Sequence, residues 1–390
     1  MEVSALRPVR TALVGVGGIG GYHRKVIHGL EGYEFVAAAD RYPDRQAAHI
    51  EELREWGVPF FEDLWQMVEE TEPEAVTVAV PHHYHAEYTM GCLERGIHVM
   101  CEKPVTVRIQ DALAEAKLAQ DKGLLVGVDF QYISFPHSAA LKQFIMDGGL
   151  GELRSVVGVM TWKRTDDYYT RADWVGRRFV EDRACFDGVL MNQAVHLVNS
   201  ALQMGTRESG NATVRDMQAE LYTVHDNIDT EDLACLRADL GEATLTFYAT
   251  TCALELPEVT TLQITGTKGV ADWDSAGAVV RLNSGEEVVF DRPTDRDEVH
   301  KNFIACIRKQ APGLWAPVEE ALKATLAING AYFSAGRIKR IGWEAMEDIT
   351  GFINRAAAQQ KLFSEMGADW AYEGTRIDMT GYDSFTGELE

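Results

Sequence analysis

Two hydrophobic patterns divide the chain near residue 130. Before that point, short apolar runs alternate with stretches in which apolar residues recur every three or four positions. The runs predict buried strands, and the periodic stretches predict helices. The predicted strands are 10–14, 35–40, 75–80, 97–101 and 124–128, and the predicted helices include 20–30, 84–95 and 109–122. Strands that alternate with helices in this way predict right-handed crossovers and a parallel sheet.

From about residue 154, apolar and polar residues alternate with a period of two, which is typical of strands with one buried face. The predicted strands are 154–163, 214–224, 233–240, 243–251 and 259–265. Short turns between them favour a mostly antiparallel sheet that is open on one face. A helix over 189–203 is expected to pack on the other face. Further helices are predicted over 295–308 and 317–337, and the tail after 342 is expected to be helical to about 366.

A glycine-rich turn joins the first predicted strand to the first predicted helix, with the spacing Gly15-x-Gly17-x-x-Gly20. Gly15 allows a tight turn, Gly17 lets the backbone approach a pyrophosphate, and Gly20 lets the helix pack on the sheet. Asp40 ends the second strand, where a carboxylate can bind the adenosine ribose and repel a 2′-phosphate. An ordinary glycine turn of another α/β unit is the alternative. The strand, helix and acidic residue around the motif favour a nicotinamide dinucleotide, NAD rather than NADP.

These patterns predict an α/β protein with two domains. Residues 1–132 are expected to form a dinucleotide-binding Rossmann domain with a doubly wound parallel sheet. Residues 133–390 are expected to form an α+β domain with a large open sheet, which binds the substrate and ends in a helical extension over about 345–390. The residues of the glycine turn and of the second strand end that are expected to contact the cofactor are Gly15, Gly17, Gly18, Ile19, Gly20, Asp40 and Arg41.

Charge and composition narrow the partners. The formal net charge of −23 argues against nucleic acid, because such a partner requires clustered cations. No run of eighteen apolar residues exists, so we expect no transmembrane helix. The first residues also lack the apolar core of a signal peptide. The six cysteines form no C-x-x-C pair and lie in apolar stretches, which favours reduced thiols in a cytoplasmic protein.

Two short motifs carry candidate catalytic groups. Glu102-Lys103-Pro104 follows the predicted strand at 97–101, and a residue before proline is held out of the helical region. Lys103 is therefore expected to point into the cofactor crevice; a solvated lysine at a strand edge is the alternative. In Asn192-Gln-Ala-Val-His196, the spacing places Asn192 and His196 on one face of a predicted helix. A buried histidine with a purely structural role is the alternative there.

A polar and aromatic loop follows the predicted strand at 154–163. Its candidate substrate-binding residues are Lys163, Tyr168, Tyr169 and Trp174. Aromatic rings with nearby hydrogen-bonding groups suit the apolar faces and hydroxyls of a sugar. An ordered loop at a protein interface is the alternative, because aromatic residues are also enriched there.

Three histidines lie close together in Pro81-His82-His83-Tyr84-His85, after the predicted strand at 75–80. Their spacing matches no known zinc pattern, and neither a carboxylate nor a cysteine completes a ligand set. We therefore predict no metal. The turn is expected to pass beside the cofactor, with Pro81, His82 and His85 in contact with it.

The combination of these motifs resembles the Gfo/Idh/MocA family, the group of glucose–fructose oxidoreductase and inositol dehydrogenase. The glycine turn, the acidic end of strand two, P-x-x-x-H, E-K-P and the later N-x-x-x-H carry the likeness, which extends to about residue 340. It implies hydride transfer between NAD and a secondary hydroxyl or ketone of a pyranoside, an inositol or a sugar nucleotide. It also implies that Lys103 and His196 are the catalytic pair, that Glu102 contacts the nicotinamide ribose, and that Asn192 contacts the substrate.

One position departs from the family pattern: many members carry an aspartate where this chain has Asn192. An asparagine can orient a hydroxyl but cannot relay a proton, so the proton would leave through His196 or water. The resemblance further implies a homodimer or homotetramer that buries the open sheet face. Two other functions remain open, an NAD-dependent redox glycosidase with no net oxidation and a non-catalytic regulator that binds the cofactor.

Overall fold

The structure is a computed structural model that describes residues 7–254, 257–291 and 296–389. Two sequence-based predictions fall on residues outside the described ones. The expected absence of a signal peptide involves residues 1–6, and one predicted helix starts at residue 295. Over the first 130 residues, strands and helices alternate. The strands are β1 (Val9–Val14), β2 (Tyr33–Ala39), β3 (Phe60–Phe61), β4 (Ala75–Val78), β5 (His98–Cys101) and β6 (Val126–Val128). The helices are α1 (Gly20–Gly29), α2 (Ala47–Glu55), α3 (Leu64–Thr71), α4 (His85–Glu94) and α5 (Ile109–Lys122).

The remaining residues contribute mainly strands, with helices before, between and after them. The helices are α6 (Gln131–Ser134), α7 (Pro136–Met146), α8 (Asp166–Tyr169), α9 (Val195–Met204), α10 (Glu298–Ile307), α11 (Val318–Ala335) and α12 (Ile349–Gln359). The strands are β7 (Leu153–Thr161), β8 (Phe179–Val180), β9 (Arg183–Ala184), β10 (Asp216–Thr223), β11 (Leu233–Asp239), β12 (Thr244–Thr250), β13 (Val259–Gly266), β14 (Gly269–Asp274), β15 (Gly277–Leu282), β16 (Glu287–Asp291), β17 (Lys339–Arg340) and β18 (Ile377–Asp378).

The first six strands form one parallel sheet in the order β3-β2-β1-β4-β5-β6, as predicted. All four residues of β4 are buried, which is typical of a parallel strand covered on both faces. The strand order reverses between β1 and β4. Ligands of open α/β sheets bind at such a reversal, beyond the carboxyl ends of the strands.

The second large sheet has ten strands and is mixed but mostly antiparallel. Its order is β16-β15-β14-β13-β7-β12-β11-β10-β17, and β18 also pairs with β10. Strand β7 lies in the middle, parallel to β12 and antiparallel to β13. The fold class predicted from the sequence, a Rossmann sheet followed by an α+β part with a large open sheet, is confirmed.

The chain forms two compact units, each with its own core. The described residues among 7–105, 112–129 and 296–318 form the first, and those among 106–111, 130–291 and 319–389 form the second. Helix α10 belongs to the first unit, where Val299 and Phe303 pack in one cluster with Leu13 of β1 and Met100 of β5. The core of this unit is thus completed by a helix that begins 170 residues after the last strand of the parallel sheet.

Helix α12 and the residues after it cover one face of the large sheet within the second unit. Ile353 and Phe363 pack in a single cluster with Val157 of β7, Tyr222 of β10 and Tyr248 of β12. The expectation of an uncovered face is therefore wrong for strands β7 and β10–β12. The reason is that the extension, to which the sequence assigned no role, supplies its own apolar side chains to that face.

The chain then returns to the core of the second unit. Phe385 is buried, with its ring 5.1 Å from that of Phe186 and 5.8 Å from that of Tyr332. Gln110 donates a hydrogen bond to the carbonyl of Phe385 and accepts one from its N–H. The C-terminal extension is therefore an integral part of the packing of this unit.

All six cysteines lie among the described residues, and none of them forms a disulfide. Five are buried, and Cys306 is half-buried, in line with the prediction of packed thiols. Across the part of the chain that the structure describes, no helix has both the length and the apolar composition needed to cross a membrane.

Candidate functional site

The glycine turn of the first unit has a geometry that only glycine satisfies. Gly15 has a φ of +87°, and a Cβ added there would lie 2.1 Å from the carbonyl oxygen of Ala79. A Cβ at Gly20 would lie 2.0 Å from the carbonyl oxygen of Gly15. Helix α1 begins at Gly20, so its unpaired N–H groups and positive dipole end face the turn. This close cradle fits a dinucleotide pyrophosphate.

Asp40 connects the end of β2 to that turn. Its carboxylate accepts hydrogen bonds from the N–H of Val16 at 3.1 Å and from the N–H of Tyr42 at 3.0 Å. The exposed Arg41 donates to the hydroxyl of Tyr84 at 2.7 Å, with its guanidinium 4.8 Å from the centre of that ring. Asp40 is therefore fixed beside the glycine turn, and Arg41 lies on the neighbouring turn after β4.

His85 connects the turn after β4 to the E-K-P segment. Its Nδ1 lies 2.6 Å from the carbonyl oxygen of Pro104, and its Nε2 lies 2.8 Å from that of Val80. The ring is fully buried, and burial lowers its pKa. His85 thus holds the turn after β4 and the E-K-P segment together. His82 is buried and Pro81 is half-buried in the same turn.

Glu102 and Lys103 follow directly after β5. The Glu102 carboxylate accepts a hydrogen bond from the Lys103 N–H at 3.0 Å through Oε2, and Oε1 lies 2.9 Å from Nε2 of His23. Glu102 is buried, whereas Lys103 is half-buried. The Lys103–Pro104 peptide bond is cis. The backbone of the candidate catalytic lysine is thus anchored by the carboxylate that precedes it.

Glu102 is the first member of a chain of buried side chains that are joined by hydrogen bonds. Nδ1 of His23 lies 2.9 Å from Nε2 of His300, whose Nδ1 lies 3.0 Å from the Tyr33 hydroxyl. Burial disfavours a charge on His23. The hydrogen bond and the negative charge of Glu102 outweigh this effect and raise the pKa of His23. Burial and the nearby Glu102 raise the pKa of Asp129 to about 7. Sequence reasoning missed this chain, because three of its members lie far apart in the sequence.

Metal-ligand geometry occurs in two places among the described residues. His23, Glu102 and Asp129 form one group and His225, Asp232 and Cys252 the other, each with ligand atoms within 4.8 Å of one another. The close contacts in both groups have hydrogen-bond lengths, 2.9 Å for His23 to Glu102 and 2.8 Å for His225 to Asp232. In each group the histidine and one carboxylate thus form a buried pair at hydrogen-bond distance.

The second unit contains the other candidate residues. Asn192 lies in a turn, because α9 begins only at Val195. The expectation that Asn192 and His196 share a helical face is therefore wrong. Glu231 binds the start of this turn: its carbonyl accepts from the Val189 N–H at 2.8 Å and its carboxylate from the Leu190 N–H at 2.9 Å. These bonds satisfy two buried N–H groups of the turn that precedes α9.

Side chains around this turn form a compact polar group. The Asn192 amide donates to Asp187 at 2.7 Å, and the Gln193 amide donates to the Tyr168 hydroxyl at 2.9 Å. His196 is buried on the first turn of α9, with its ring 5.0 Å from that of Tyr132. Sequence reasoning missed Asp187, Gln193 and Tyr132. The aromatic Phe130-Gln-Tyr132 directly after the last strand of the first sheet was the available signal for Tyr132.

The aromatic loop divides into packed and accessible residues. Tyr169 is buried, and its hydroxyl lies 2.7 Å from Oγ1 of Thr251. Trp174 packs against the same small cluster. Tyr168 is half-buried beneath the Arg171 guanidinium, 3.6 Å from the ring centre, and the exposed Lys163 donates to the Leu254 carbonyl at 3.3 Å. Tyr168 is thus the loop residue that reaches the polar group at Asn192.

The glycine cradle, the anchored carboxylate and the parallel sheet define a dinucleotide-binding oxidoreductase fold. Residues 9–130 match the NAD-binding Rossmann-fold domain of the GFO/IDH/MocA oxidoreductase family, and residues 138–272 match the C-terminal domain of the same family. Together the two matches cover more than half of the chain. The chain belongs to the Gfo/Idh/MocA family, and its first unit is an NAD-binding domain.

Named relatives of the chain act on cyclic polyols and sugars. Inositol 2-dehydrogenase of Rubrobacter xylanophilus is 28% identical over 211 residues, which are 54% of this chain and 56% of the relative. D-glucoside 3-dehydrogenase of Escherichia coli is 29% identical over 147 residues, 37% of this chain and 41% of the relative. The chain thus aligns with about half the length of these curated relatives or less.

Solved structures share the fold. The WlbA dehydrogenase of Bordetella pertussis, in complex with NADH and UDP-GlcNAcA, superimposes with a TM-score of 0.70. The likeness covers 84% of this chain and 97% of that one at 23% sequence identity. At this identity the comparison establishes the architecture of the chain.

Proposed function

We propose that the protein is an NAD-dependent oxidoreductase that interconverts a secondary hydroxyl and a ketone of a carbohydrate. The observation that carries this proposal is Lys103, anchored through Glu102 at the carboxyl end of β5 in an NAD-binding sheet. The substrate class is a pyranoside, an inositol or a sugar nucleotide. Relatives named for inositol and D-glucoside dehydrogenation support it.

Each candidate residue has a defined role in this proposal. The bound nicotinamide supplies a hydride acceptor or donor. The glycine turn and Asp40 hold the dinucleotide, and Glu102 contacts its nicotinamide ribose. In the oxidative direction the neutral Lys103 amine accepts the carbinol proton as the hydride leaves, and the ammonium so formed stabilises negative charge on that oxygen; in the reductive direction the ammonium returns the proton. His196 orients the same hydroxyl and carries the proton onward.

Substrate positioning belongs to residues of the second unit. We propose that Asn192 and Tyr168 hydrogen-bond the sugar, with Lys163, Tyr169 and Trp174 shaping the loop around it. The hydrogen bond from Gln193 to Tyr168 supports this grouping, because it joins the aromatic loop to the turn that contains Asn192. Tyr132 adds an aromatic surface beside His196, which suits the apolar face of a sugar ring.

We further propose a cytoplasmic location and a homo-oligomeric assembly. Six unpaired cysteines are in keeping with a reducing compartment. An apolar groove remains between α12 and the strands from β13 to β16, and it is lined in part by Leu262, Val279 and Phe290. Apolar surface of this kind is commonly buried against a second copy, as a dimer or as a pair of dimers.

A carbohydrate panel tests the proposal. Purified protein with NAD is expected to reduce the cofactor in the presence of at least one of myo-inositol, a methyl D-glucoside or a UDP-linked pyranose. Sugar release from the glucoside without added NAD would instead identify a redox glycosidase. Cofactor binding without turnover of any sugar would identify a regulator.

Variants then locate the chemistry. Lys103→Ala should lower kcat by on the order of 10²–10⁴-fold, because it removes both the cation and the proton-transfer group. Lys103→Arg keeps the cation but cannot release a proton near neutral pH, so it should be impaired as well. His196→Ala should lower kcat, while NAD affinity stays unchanged in all three variants. Lys117→Ala, at an exposed surface pair, is the matched control. A loss confined to KM would assign these residues to binding alone.

A further inference from the structure

Asp187 is a buried carboxylate that contacts the candidate substrate residue Asn192. Its Oδ1 accepts a hydrogen bond from the Asn192 amide nitrogen at 2.7 Å, and its Oδ2 accepts one from the Gly176 N–H at 2.8 Å. Only 2% of Asp187 and 8% of Asn192 are exposed. Both residues belong to the second unit.

We propose that Asp187 is a positioning residue that fixes which end of the Asn192 amide meets the substrate. The Asn192 amide donates to the Asp187 carboxylate through its nitrogen, so its NH₂ end faces Asp187. The reversed amide would set two acceptor oxygens against each other in a buried place, which is costly where the dielectric constant is low. The carbonyl oxygen of Asn192 is therefore directed away from Asp187.

This orientation carries a consequence for the substrate, which rests on the proposed function. An amide oxygen accepts a hydrogen bond from a hydroxyl but cannot donate one to a carbonyl group. Asn192 thus favours a carbohydrate that places a hydroxyl, rather than a carbonyl group, at this position. The chain obtains an acceptor oxygen at position 192 from a neutral side chain whose NH₂ end is held by Asp187.

The anchoring of Asp187 makes the orientation stable. Its second oxygen is held by the backbone of Gly176, which has a φ of +69° and whose Cβ would lie 2.3 Å from Ile228. The Tyr168 hydroxyl lies 3.5 Å from the same Asn192 nitrogen, on the donor side of the amide. The aromatic loop, the turn that contains Asn192 and the Asp187 carboxylate therefore favour the same orientation of the Asn192 amide.

Three variants test the pair by exchanging its groups. In Asp187→Asn, the new amide can still accept from Gly176 through oxygen, so its NH₂ faces Asn192 and turns that amide over. In Asn192→Asp, two carboxylates face each other and one must take up a proton. In the double variant, the carboxylate at 192 accepts from the amide at 187, so the hydrogen bond is restored with its direction reversed. Asp226→Asn, at a carboxylate that is 95% exposed, is the matched control.

Thermal unfolding measures the interaction between residues 187 and 192 without any substrate. Each single variant should lower Tm, and the double variant should be more stable than either, which is a coupling that independent sites do not show. A double variant no more stable than the worse single one would overturn the proposal, whether or not the protein oxidises sugars.

Turnover tests whether the orientation of the Asn192 amide matters for the reaction. With myo-inositol or methyl D-glucoside as the probe, Asp187→Asn should lower kcat/KM by roughly 10–100-fold while NAD affinity is unchanged. The double variant, which again presents an acceptor oxygen at 192, should recover most of this loss. Recovery of Tm without recovery of kcat/KM would show that the pair only supports the fold. If the wild-type protein turns over none of the probes, the proposed function fails while the Tm coupling still decides the pair.

Discussion

Asp40 is the side chain on which we expect cofactor choice to depend. Its two oxygens are held by the N–H groups of Val16 and Tyr42, so the carboxylate cannot turn away from the cofactor side. Arg41 is the group that would neutralise a 2′-phosphate, yet it stacks on Tyr84 and donates to its hydroxyl. We therefore expect the carboxylate to dominate the charge that an adenosine ribose would meet at this position.

We expect NAD to bind more tightly than NADP by roughly tenfold or more, the factor that about 1.4 kcal/mol supplies. Asp40→Asn should reduce this preference, because it removes the repulsion from a 2′-phosphate while keeping a side chain of the same size. Titration of both reduced cofactors, followed by their fluorescence, measures the two dissociation constants. Tighter binding of NADP to the wild-type protein would contradict the role given to Asp40.

At the scale of an element, the turn before α9 shows where sequence reasoning succeeds and where it fails. Helix α5 (Ile109–Lys122) has the predicted bounds, because its apolar spacing is a local property of the chain. Helix α9 begins six residues later than predicted, and the turn before it is bound by Glu231, a residue some forty positions away that no local pattern connects to it. The Asp187–Asn192 contact and the His23–His300 contact are equally hidden from local patterns. The glycine turn and Asp40, by contrast, could be recognised from the sequence, because their spacing along the chain is characteristic of a dinucleotide-binding motif.

Glu231 should also make stability depend on pH. Burial raises its pKa to about 7, and the Tyr332 hydroxyl and the Leu190 N–H only partly offset that cost. Between about 4.5 and 7 the unfolded chain loses this proton while the folded one keeps it, so stability falls as pH rises through that window and levels off above it. Tm measured from pH 4.5 to 8 should fall in the wild-type protein relative to Glu231→Gln. A constant difference between the two across the range would refute this assignment.

On the scale of the whole molecule, the open sheet is the feature that bears on assembly. The C-terminal extension packs on strands β7 and β10–β12, so we expect a second copy to pair mainly through the strip from β13 to β16. Val289 on β16 is 54% exposed and lines the groove there with Phe290 and Ala357 of α12. The surface available for pairing is therefore narrower than the sequence indicated.

Light scattering at micromolar concentration should give the mass of a dimer or tetramer. Val289→Asp should shift the mass towards the monomer with little change in Tm, because the substitution places a charge on an exposed position. Glu287→Gln, on the same strand, is the control and should leave the mass unchanged. A monomeric wild-type protein would contradict the proposed assembly.

The packing of Phe385 sets the order in which this protein can mature on the ribosome. Phe385 contacts Tyr332, Tyr332 donates to Glu231, and Glu231 holds the turn that presents Asn192. Chains are synthesised from the N-terminus, so the NAD-binding sheet emerges long before residue 385 does. A nascent chain halted before that residue would contain the cofactor cradle but lack the aromatic cluster behind the turn. Cofactor affinity therefore does not indicate that the aromatic cluster of the second unit has formed.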